Sequence, residues 1–298
     1  TDLRTSRFPQ CCGCRCDPYV RINQDAGIVG EVWLVSGLAG FSGLAVGWFL
    51  NLCSTRWPVS LSIISPGSQC TECSRAIRWY DNIPVLSWLI LSGKCRYCSV
   101  LIPIQYPVIE LTSGLLCAGT FMIHGLSGEA LRGSIFLCLL LGVSISDARF
   151  YIIPDEFSLG GTILGLGMSF LPGGIGWANA VGGALVGYIF LWFIAEAGTR
   201  IIEKISPGRL EAAGLDKAMG GGDIKMMMMV GSFVGISGVA QTAFLGSLGG
   251  LVIYGPIATL YKRLIPFGVF LAVAGAITHL WGDAMMNWYL THIMGFAA

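Results

Sequence analysis

Residues 220–239 read GGGDIKMMMMVGSFVGISGV, an apolar stretch of nearly membrane-spanning length with an aspartate near its start. A helix needs about 20 apolar residues to cross about 30 Å of hydrocarbon. A carboxylate is costly in such a segment unless its chemistry is required there. The stretch therefore predicts a transmembrane helix, and Asp223 is a candidate functional residue.

The rest of the chain has the composition of a polytopic membrane protein. Of its 298 residues, 54% are hydrophobic and only 12% are charged, with a mean hydropathy of +0.70, whereas soluble domains have about 25% charged residues. Apolar stretches recur and predict an all-α fold with about eight transmembrane helices, at 28–53, 106–124, 131–146, 157–171, 175–196, 223–239, 241–261 and 265–281. The net charge of +1 does not indicate nucleic-acid binding. We expect membrane lipid around the chain and no nucleic-acid partner.

Lysine and arginine residues predict the sidedness of the loops. In an eight-helix arrangement the basic loops lie on one side of the membrane, at 54–105, 147–156, 197–222 and 262–264. The opposite loops contain only Arg132. Basic loops favour the cytoplasmic side, so we expect the four basic loops there. The N-terminal tail then lies outside despite its four arginines; the later loops outweigh it, and we expect no cleavable signal peptide before the first helix.

The predicted helices divide the chain into four units. These are a polar N-terminal tail (1–27), a first transmembrane helix (28–53), a cytoplasmic insert (54–105) and a transmembrane peptidase core (106–298). No internal repeat of about 20 to 50 residues is visible. The tail contains CCGCRC at 11–16. Its thiols are compatible with metal binding, acylation, disulfide formation or no role, and ligands so close together do not easily close one tetrahedral site.

Two CxxC pairs in the insert predict a structural zinc site. The gap between CTEC (70–73) and CRYC (95–98) is 21 residues, slightly longer than the usual spacing of about 15–20. Two disulfides or four free thiols are the alternatives, but disulfides are rare in a reducing compartment. We therefore expect a closed site that binds one Zn²⁺ and stabilises the small insert, with the ligands Cys70, Cys73, Cys95 and Cys98.

Four acidic residues at or near the predicted helices are candidates for a function: Glu110, Asp147, Glu196 and Asp223. Any of them can be a residue at a helix end whose carboxylate reaches the membrane interface, and this explanation fits Glu196 best. Asp147 ends the third predicted helix, and Asp223 begins the sixth. We therefore expect these two aspartates at the same depth on the cytoplasmic side, facing each other across the bundle.

Two carboxylates at one site predict acid–base chemistry. They cannot both ionise cheaply, so one proton is shared, and the pair can act as base and acid on a water that attacks a peptide carbonyl. Gly220, Gly221 and Gly222 would let an extended substrate approach the backbone without obstruction by side chains. The methionines at 226–229 point all round their helix and are expected to be packing residues.

These segments together resemble the type IV prepilin peptidases, which are bifunctional leader peptidases and N-methyltransferases. The resemblance covers nearly the whole chain after about residue 37 and leaves out the tail 1–27. The matching segments, in the family's order and spacing, are GWFLNLCSTRWP (47–58), the two CxxC pairs, WYDNIPVLSWLILSGKCRYC (79–98), YPVIELTSGLL (106–116), SDARFYIIPDEF (146–157), AMGGGDIKM (218–226) and IPFGVFLA (265–272). The aspartate-IPD and GGGD segments are highly specific in combination.

The resemblance implies an intramembrane aspartyl protease of the GxGD type, also seen in presenilin-like enzymes, with Asp147 and Asp223 as its catalytic pair. Asp155 matches the aspartate of the IPD turn, and we expect it to shape the loop or contact the substrate. The implied substrates are prepilins and pseudopilins of type IV pili or type II secretion, cut after a glycine at the cytoplasmic face of the bacterial inner membrane. The new N-terminal residue, commonly phenylalanine, would then be methylated from S-adenosylmethionine.

Residues for the methyl-transfer step are less evident. The chain contains no GxGxxG motif, so a Rossmann-type donor site is not indicated. The resemblance places Gly93 and Lys94 in a segment associated with methyl transfer, although Lys94 is equally explained as a basic residue at the level of the lipid headgroups. Glu110 is a candidate for orienting the new α-amine.

Two other classes of function remain compatible with this composition. A transporter or channel would carry acids near the middle of the membrane and broken helices, whereas Asp147 and Asp223 are expected at an interface. A noncatalytic assembly factor would bind pilin helices through the same fold. Such a factor would keep its phenotype when either aspartate is replaced.

Overall fold

A computed structural model describes residues 18–65, 67–212, 216–261 and 266–295, and the regular elements of these ranges are helices. In chain order they are α1 Pro18–Arg56, α2 Leu86–Ile90, α3 Gln105–His124, α4 Gly128–Phe150, α5 Asp155–Met168, α6 Trp177–Ile205, α7 Arg209–Ala212, α8 Gly221–Tyr261 and α9 Phe267–His292. Short 3-10 turns cover Trp57–Val59 and Trp79–Asn82. The predicted all-α fold is confirmed. The CCGCRC motif and the basic loop 262–264 lie outside the described residues.

Six of the described helices are long and apolar enough to cross a membrane, namely α1, α3, α4, α6, α8 and α9. The predicted number of eight is therefore not confirmed. The predicted helix 157–171 corresponds to α5, which has only 14 residues, and the predicted helices 223–239 and 241–261 are joined in α8. α1 begins at Pro18, so the predicted boundary between tail and first helix, at residues 27 and 28, lies inside this helix.

α8 changes direction at Gly235, which has non-helical torsion angles (φ 74°, ψ −174°). Gly222, at the start of α8, packs on Ile153, which also contacts Gly268 in the first turn of α9. Gly246 packs on α9 about one turn further along. A straight helix would separate residues 222 and 246 by about 36 Å. The two arms of α8, before and after Gly235, therefore run in opposite directions.

Glycines allow the helices to pack closely, as is common in membrane bundles. A Cβ at Gly183 of α6 would clash with the Gly231 carbonyl oxygen of α8, and a Cβ at Gly47 of α1 would lie 2.6 Å from Glu110 Cα of α3. Phe136 of α4 stacks on a phenylalanine of α8 with ring centroids 4.6 Å apart. The methionine run packs into this core as expected, since Met226, Met227 and Met229 are fully buried.

The loops that follow α1 and α4 and the starts of α8 and α9 meet at one face of the bundle. Ile153, between α4 and α5, contacts both Gly222 and Gly268. The last turn of α1 lies at the same level, where the Ser54 carbonyl accepts a hydrogen bond from Ser146 Oγ at 3.4 Å. Residues 57–104, between α1 and α3, form the insert on this face, which we call the insert face.

Candidate active site and metal centre

Asp147 lies on the last turn of α4 and is only 5% exposed. α4 ends after it because Tyr151 adopts a left-handed conformation (φ 55°) and donates its amide to the Asp147 carbonyl at 3.0 Å. The side chain reaches α9, where Asp147 Oδ2 accepts the Val269 amide at 3.1 Å. This amide is one of those that the first turn of a helix leaves without a partner in the helix. A Cβ at Gly268 would lie 2.9 Å from the same oxygen, so glycine leaves room for the carboxylate.

Asp223 occupies the first turn of α8 and is half-buried. Ile153 packs between the glycine before Asp223 and Gly268 of α9. The structure therefore brings together the ends of α4, α8 and α9 around the two aspartates.

The three glycines before Asp223 have different surroundings. A Cβ at Gly222 would lie 3.0 Å from Ile153 Cβ, and a Cβ at Gly220 would lie 3.3 Å from Asp223 Oδ2. Gly221 faces open space, and both it and Gly220 are exposed. An extended peptide has room to approach the backbone beside Asp223.

Asp155 does not join the aspartate pair. It is the first residue of α5, and each of its carboxylate oxygens accepts a hydrogen bond from Lys225 Nζ at 2.7 Å. This ion pair ties the start of α5 to the first turn of α8. The role of Lys225 as the partner of Asp155 is not evident from the sequence, because a lysine near a helix end is equally expected to reach the headgroups. Its position two residues after Asp223 indicates only that it lies near the site.

Glu196 has the surface environment expected of it. Its carboxylate is 3.0 Å from Arg200, one helical turn later, and 4.0 Å from Lys217. Its side chain is 29% exposed. Glu196 therefore belongs to a charged group with Arg200 and Lys217 in the second half of α6 and the segment before α8.

The insert contains two equivalent cysteine knuckles, residues 68–77 and 93–102. Their backbone hydrogen bonds, 2.7–3.0 Å long, join Cys70 N to Arg75 O, Ser74 N to Cys70 O and Ile77 N to Ser68 O in the first knuckle, and Cys95 N to Val100 O, Ser99 N to Cys95 O and Ile102 N to Gly93 O in the second. The serine after each second cysteine is left-handed, with φ of 54° and 58°. The insert therefore contains a local duplication of about ten residues, which is shorter than the repeats considered in the sequence analysis. This duplication is not evident from the sequence, because the two copies share little beyond the cysteines and the serine.

The four cysteine sulfurs form one cluster. All lie within 4.8 Å of one another, and Cys70 Sγ is 3.6 Å from Cys98 Sγ. The four thiols are free, not paired as disulfides. A tetrahedral zinc ion with sulfur bonds of about 2.3 Å holds its ligands about 3.8 Å apart. The cluster therefore has the donor atoms and the dimensions that a tetrahedral metal requires.

Backbone amides favour the thiolate form in this cluster. The amides of Cys73 and Glu72 lower the pKa of the Cys70 thiol to about 6, and the Cys98 amide does most to lower the pKa of Cys95. At Cys98 the hydrogen bond from the Val100 amide lowers the pKa of the thiol. Burial and the neighbouring thiols raise this pKa by a larger amount, so that it is about 12. Thiolates are the metal-binding form, and a bound cation would displace the remaining protons.

A cavity of about 510 Å³ lies between α1, α3 and the insert. Glu110 lies in its wall, only 6% exposed, and its Oε2 accepts the Val85 amide at 2.7 Å. Gly93 is left-handed (φ 66°), and a Cβ there would lie 2.8 Å from the ring of Trp88, which also lines the cavity. Lys94 is exposed on the second knuckle and does not line the cavity. Of the three residues associated with methyl transfer, only Glu110 therefore borders this space directly.

Two family models match the chain. One is described as "Bacterial Peptidase A24 N-terminal domain" and matches residues 41–124; the other is described as "Type IV leader peptidase family" and matches residues 134–255. The first range includes the cysteine cluster, and the second includes both aspartates. No solved structure matches the chain.

Several similar proteins carry the name "Prepilin leader peptidase/N-methyltransferase". One from Aeromonas hydrophila is 30% identical over 293 residues, which cover 89% of this chain and 97% of the relative. One from Neisseria gonorrhoeae is 32% identical over 282 residues, with 86% and 94% covered. One from Pseudomonas putida is 32% identical over 272 residues, with 83% and 90% covered.

Proposed function

Since this chain belongs to the type IV leader peptidase family, we propose that it cleaves the leader peptide of prepilins or pseudopilins and then methylates the new N-terminal amine. The family resemblance expected from the motifs is confirmed. The chain is accordingly a peptidase with methyltransferase activity. The single observation that supports its peptidase site best is the packing of Ile153 against both Gly222, next to Asp223, and Gly268, which lies against Asp147 Oδ2, because this packing brings the two aspartates together at the insert face.

Asp147 and Asp223 act as the acid–base pair of peptide hydrolysis. One carboxylate takes a proton from the attacking water, and the protonated partner donates its proton to the carbonyl oxygen as the water oxygen bonds to the carbonyl carbon. The bond between carbon and nitrogen then breaks as the proton held by the base passes to the leaving amine, and one hydroxyl proton of the new carboxylic acid returns to the other carboxylate, which restores the pair. The Val269 amide fixes one oxygen of Asp147, while the half-buried Asp223 meets the water.

The substrate segment binds in an extended form beside the glycines 220–222. Open space at Gly221 supports this proposal. Asp155 holds the loop between α4 and α5 in place through Lys225, in agreement with the loop-shaping role inferred from the IPD turn.

The cysteine cluster is proposed to bind one Zn²⁺ through Cys70, Cys73, Cys95 and Cys98. Four protein ligands leave no open position for a substrate, so this zinc is structural. It joins the two knuckles and thereby stabilises an insert that contains little other regular structure. S-adenosylmethionine is proposed as the methyl donor, and Gly93, Lys94 and Glu110 as residues that serve methyl transfer.

The insert face is proposed to lie on the cytoplasmic side of the bacterial inner membrane. The basic residues on or near it are Arg56, Arg75, Arg78, Lys94, Arg96, Arg149, Arg200, Lys204, Lys217 and Lys225. Arg132 lies at the other end of the bundle, beside the Phe233 carbonyl. This distribution of charge supports the orientation by the positive-inside rule. Lipid surrounds the helices, and no nucleic-acid partner is expected.

Transport is less well supported than proteolysis, because both aspartates lie in terminal helical turns on one face. A transporter would hold such groups near the middle of the membrane. A noncatalytic assembly factor is distinguished by experiment, since it would leave the prepilin intact.

The test is to incubate the purified full chain with a prepilin and S-adenosylmethionine and to measure the mass of the pilin N-terminus. The expected product lacks the leader and carries one methyl group on its new N-terminal amine. Omission of the donor should give the same cleaved product without the methyl group. An uncleaved prepilin would contradict the peptidase proposal, whereas a cleaved but unmethylated product would contradict only the methylation proposal.

A further inference from the structure

The cavity between α1, α3 and the insert has walls suited to a small organic molecule. Its volume of about 510 Å³ lies within the range of about 300–1,000 Å³ typical of ligand pockets. Apolar and aromatic side chains form much of its wall, among them Trp48, Trp88 and Tyr106. The indole nitrogens are already used, since Trp48 Nε1 donates to Asn82 Oδ1 at 3.0 Å and Trp88 Nε1 donates to the Ile102 carbonyl at 3.1 Å.

Asn51 supplies the cavity with an unused hydrogen-bond acceptor. Its side chain is 2% exposed and lines the cavity. Its Nδ2 donates to the Tyr106 carbonyl at 3.2 Å, but its buried Oδ1 has no partner among the described residues. A buried polar atom without a partner costs about 1–3 kcal/mol. Such an atom in a cavity wall indicates that a ligand or water supplies the missing donor.

Glu110 supplies a second acceptor that is only partly used. Its Oε2 accepts the Val85 amide, and its Oε1 accepts no hydrogen bond from the described part of the chain. The basic groups of the wall have other partners: Arg56 donates to the Ser62 carbonyl, Arg75 lies over the Tyr97 ring and Arg96 pairs with Asp81. Asn51 Oδ1 and Glu110 Oε1 are therefore two acceptors in the wall that remain open to a positively charged group of a ligand.

We infer that this cavity binds the sulfonium methyl donor, with the Glu110 carboxylate beside its positively charged sulfur, Asn51 Oδ1 as the acceptor for a hydrogen-bond donor of the same ligand and the aromatic side chains as the walls for its nucleoside. This inference rests on the proposed methylation activity and assigns it a site. Aromatic rings and a carboxylate together favour a sulfonium or ammonium cation over a neutral analogue. The bound donor supplies an electrophilic methyl group, and the cavity residues hold and orient it.

The last turns of α1 place this cavity next to the aspartate pair. Asn51 and Thr55 line the cavity, and the Ser54 carbonyl, in the same turns of α1, accepts a hydrogen bond from Ser146, the residue before Asp147. Because successive residues of a helix are about 100° apart, Ser54 is only about 60–100° around α1 from the two cavity residues, and the two sites lie beside neighbouring faces of one helix. An amine released at the aspartates has a short path around α1.

In the transfer step the nitrogen lone pair of this amine bonds to the methyl carbon. The bond from carbon to sulfur breaks with its electrons on sulfur, and the surplus amine proton leaves to water at the insert face.

Calorimetric titration of the full-length protein with S-adenosylmethionine and with S-adenosylhomocysteine tests this site. Glu110→Gln keeps an acceptor for the Val85 amide but removes the charge, so it should weaken donor binding by about tenfold or more, as expected when a cation loses the opposite charge beside it in a partly buried site. The same change should weaken binding of the uncharged thioether product much less. Asn51→Leu should weaken binding of both. Glu129→Gln and Asn287→Leu, at distant positions, are the matched controls.

Zinc content and thermal unfolding of each variant report whether the insert is folded. Wild-type affinity in both cavity variants would overturn the inference, as would equal losses for donor and product in Glu110→Gln or no measurable donor binding by the wild type. If the wild type binds the donor but never methylates a cleaved pilin, the proposed function fails instead. If the wild type methylates the pilin while the cavity variants bind the donor normally, the proposed methylation stands and the proposed donor site is wrong.

Discussion

Asp147 depends on α9 for the orientation of its carboxylate. A Cβ at Gly268 would lie 2.9 Å from Asp147 Oδ2 and 2.8 Å from Ile153 Cδ1, so Gly268→Ala must displace the carboxylate or the first turn of α9. A catalytic group misplaced by about 1 Å costs about 100-fold in rate. We predict a loss of this order in kcat for prepilin cleavage, with little change in KM, measured in a peptidase assay with purified protein.

Gly275→Ala is the matched control for this change, since it adds the same methyl group two turns further along α9. Its Cβ would have no neighbour closer than Leu140 Cδ1 at 3.4 Å, which is an ordinary contact. Its kcat should stay near that of the wild type. Equal activity of the two variants would show that the contact between Gly268 and Asp147 does not matter for cleavage.

The ion pair between Asp155 and Lys225 should contribute only modestly. Both side chains are partly exposed, at 54% and 38%, and an exposed ion pair contributes about 0–1 kcal/mol. We predict that Asp155→Asn and Lys225→Met each reduce cleavage by less than about tenfold, and that the double variant is no worse than the sum of the two free-energy changes. Complete inactivity of Asp155→Asn with an active Lys225→Met would make Asp155 a catalytic acid and contradict our assignment.

At the scale of helices, the apolar stretches are predictable but the turn inside α8 is not. The predicted boundary between the sixth and seventh helices is near residue 240, whereas the chain turns at Gly235. Several nearby glycines could accommodate a turn. The position of the turn depends on α6, because Asn179 Oδ1 accepts the Ile236 amide at 3.2 Å and so caps the second arm of α8. A contact between residues this far apart in the chain has no local signal in the sequence.

Gly235→Ala should therefore destabilise the bundle. Its φ of 74° is unfavourable for alanine by about 1–2 kcal/mol, and its Cβ would lie 2.6 Å from Asn179 Nδ2. We predict a lower Tm in detergent than that of the wild type. Gly250→Ala, in the second arm of the same helix, has no neighbour closer than 3.9 Å and should not lower the Tm. A Tm unchanged by Gly235→Ala would contradict the turn.

The structure of the insert is likewise only partly predictable from the sequence. The cluster of four cysteines follows from the spacing of the two CxxC pairs, but the duplication of the knuckle follows only from backbone hydrogen bonds. Gly93 is explained in the same way, because its left-handed conformation and its contact with Trp88 belong to the second knuckle. The sequence associates Gly93 with methyl transfer only through the family resemblance.

Removal of one cysteine ligand should release the metal and unfold the insert before the helices. Elemental analysis of the wild type should give about one zinc per chain, because four thiolates complete one site. We predict that Cys73→Ser loses most of this zinc and exposes the insert to limited proteolysis, while α3 to α9 stay protected. Cys53→Ala, which removes a thiol outside the cluster, should keep its zinc. Absence of zinc from the wild type would contradict the proposed site.

At the scale of the whole molecule, the aspartate pair, the cysteine cluster and the cavity share the insert face. The approach of Asp147 and Asp223 is predictable, because alternating helix directions bring the end of the third predicted helix and the start of the sixth to one side. The contribution of α9 is not predictable, since nothing in IPFGVFLA indicates that the Val269 amide meets Asp147. Such a contact depends on how the helices pack, and composition and periodicity do not determine that packing.

The measurement that tests the aspartate pair most directly compares Asp147→Asn and Asp223→Asn with the wild type on two substrates. One is a full prepilin and the other a pilin already without its leader, each supplied with S-adenosylmethionine and analysed by mass. Because hydrolysis needs both carboxylates, we predict that neither variant removes the leader, while both still methylate the leaderless pilin and retain the zinc of the wild type. Substantial leader removal by either variant would contradict the account, because that aspartate would then not be part of the catalytic pair.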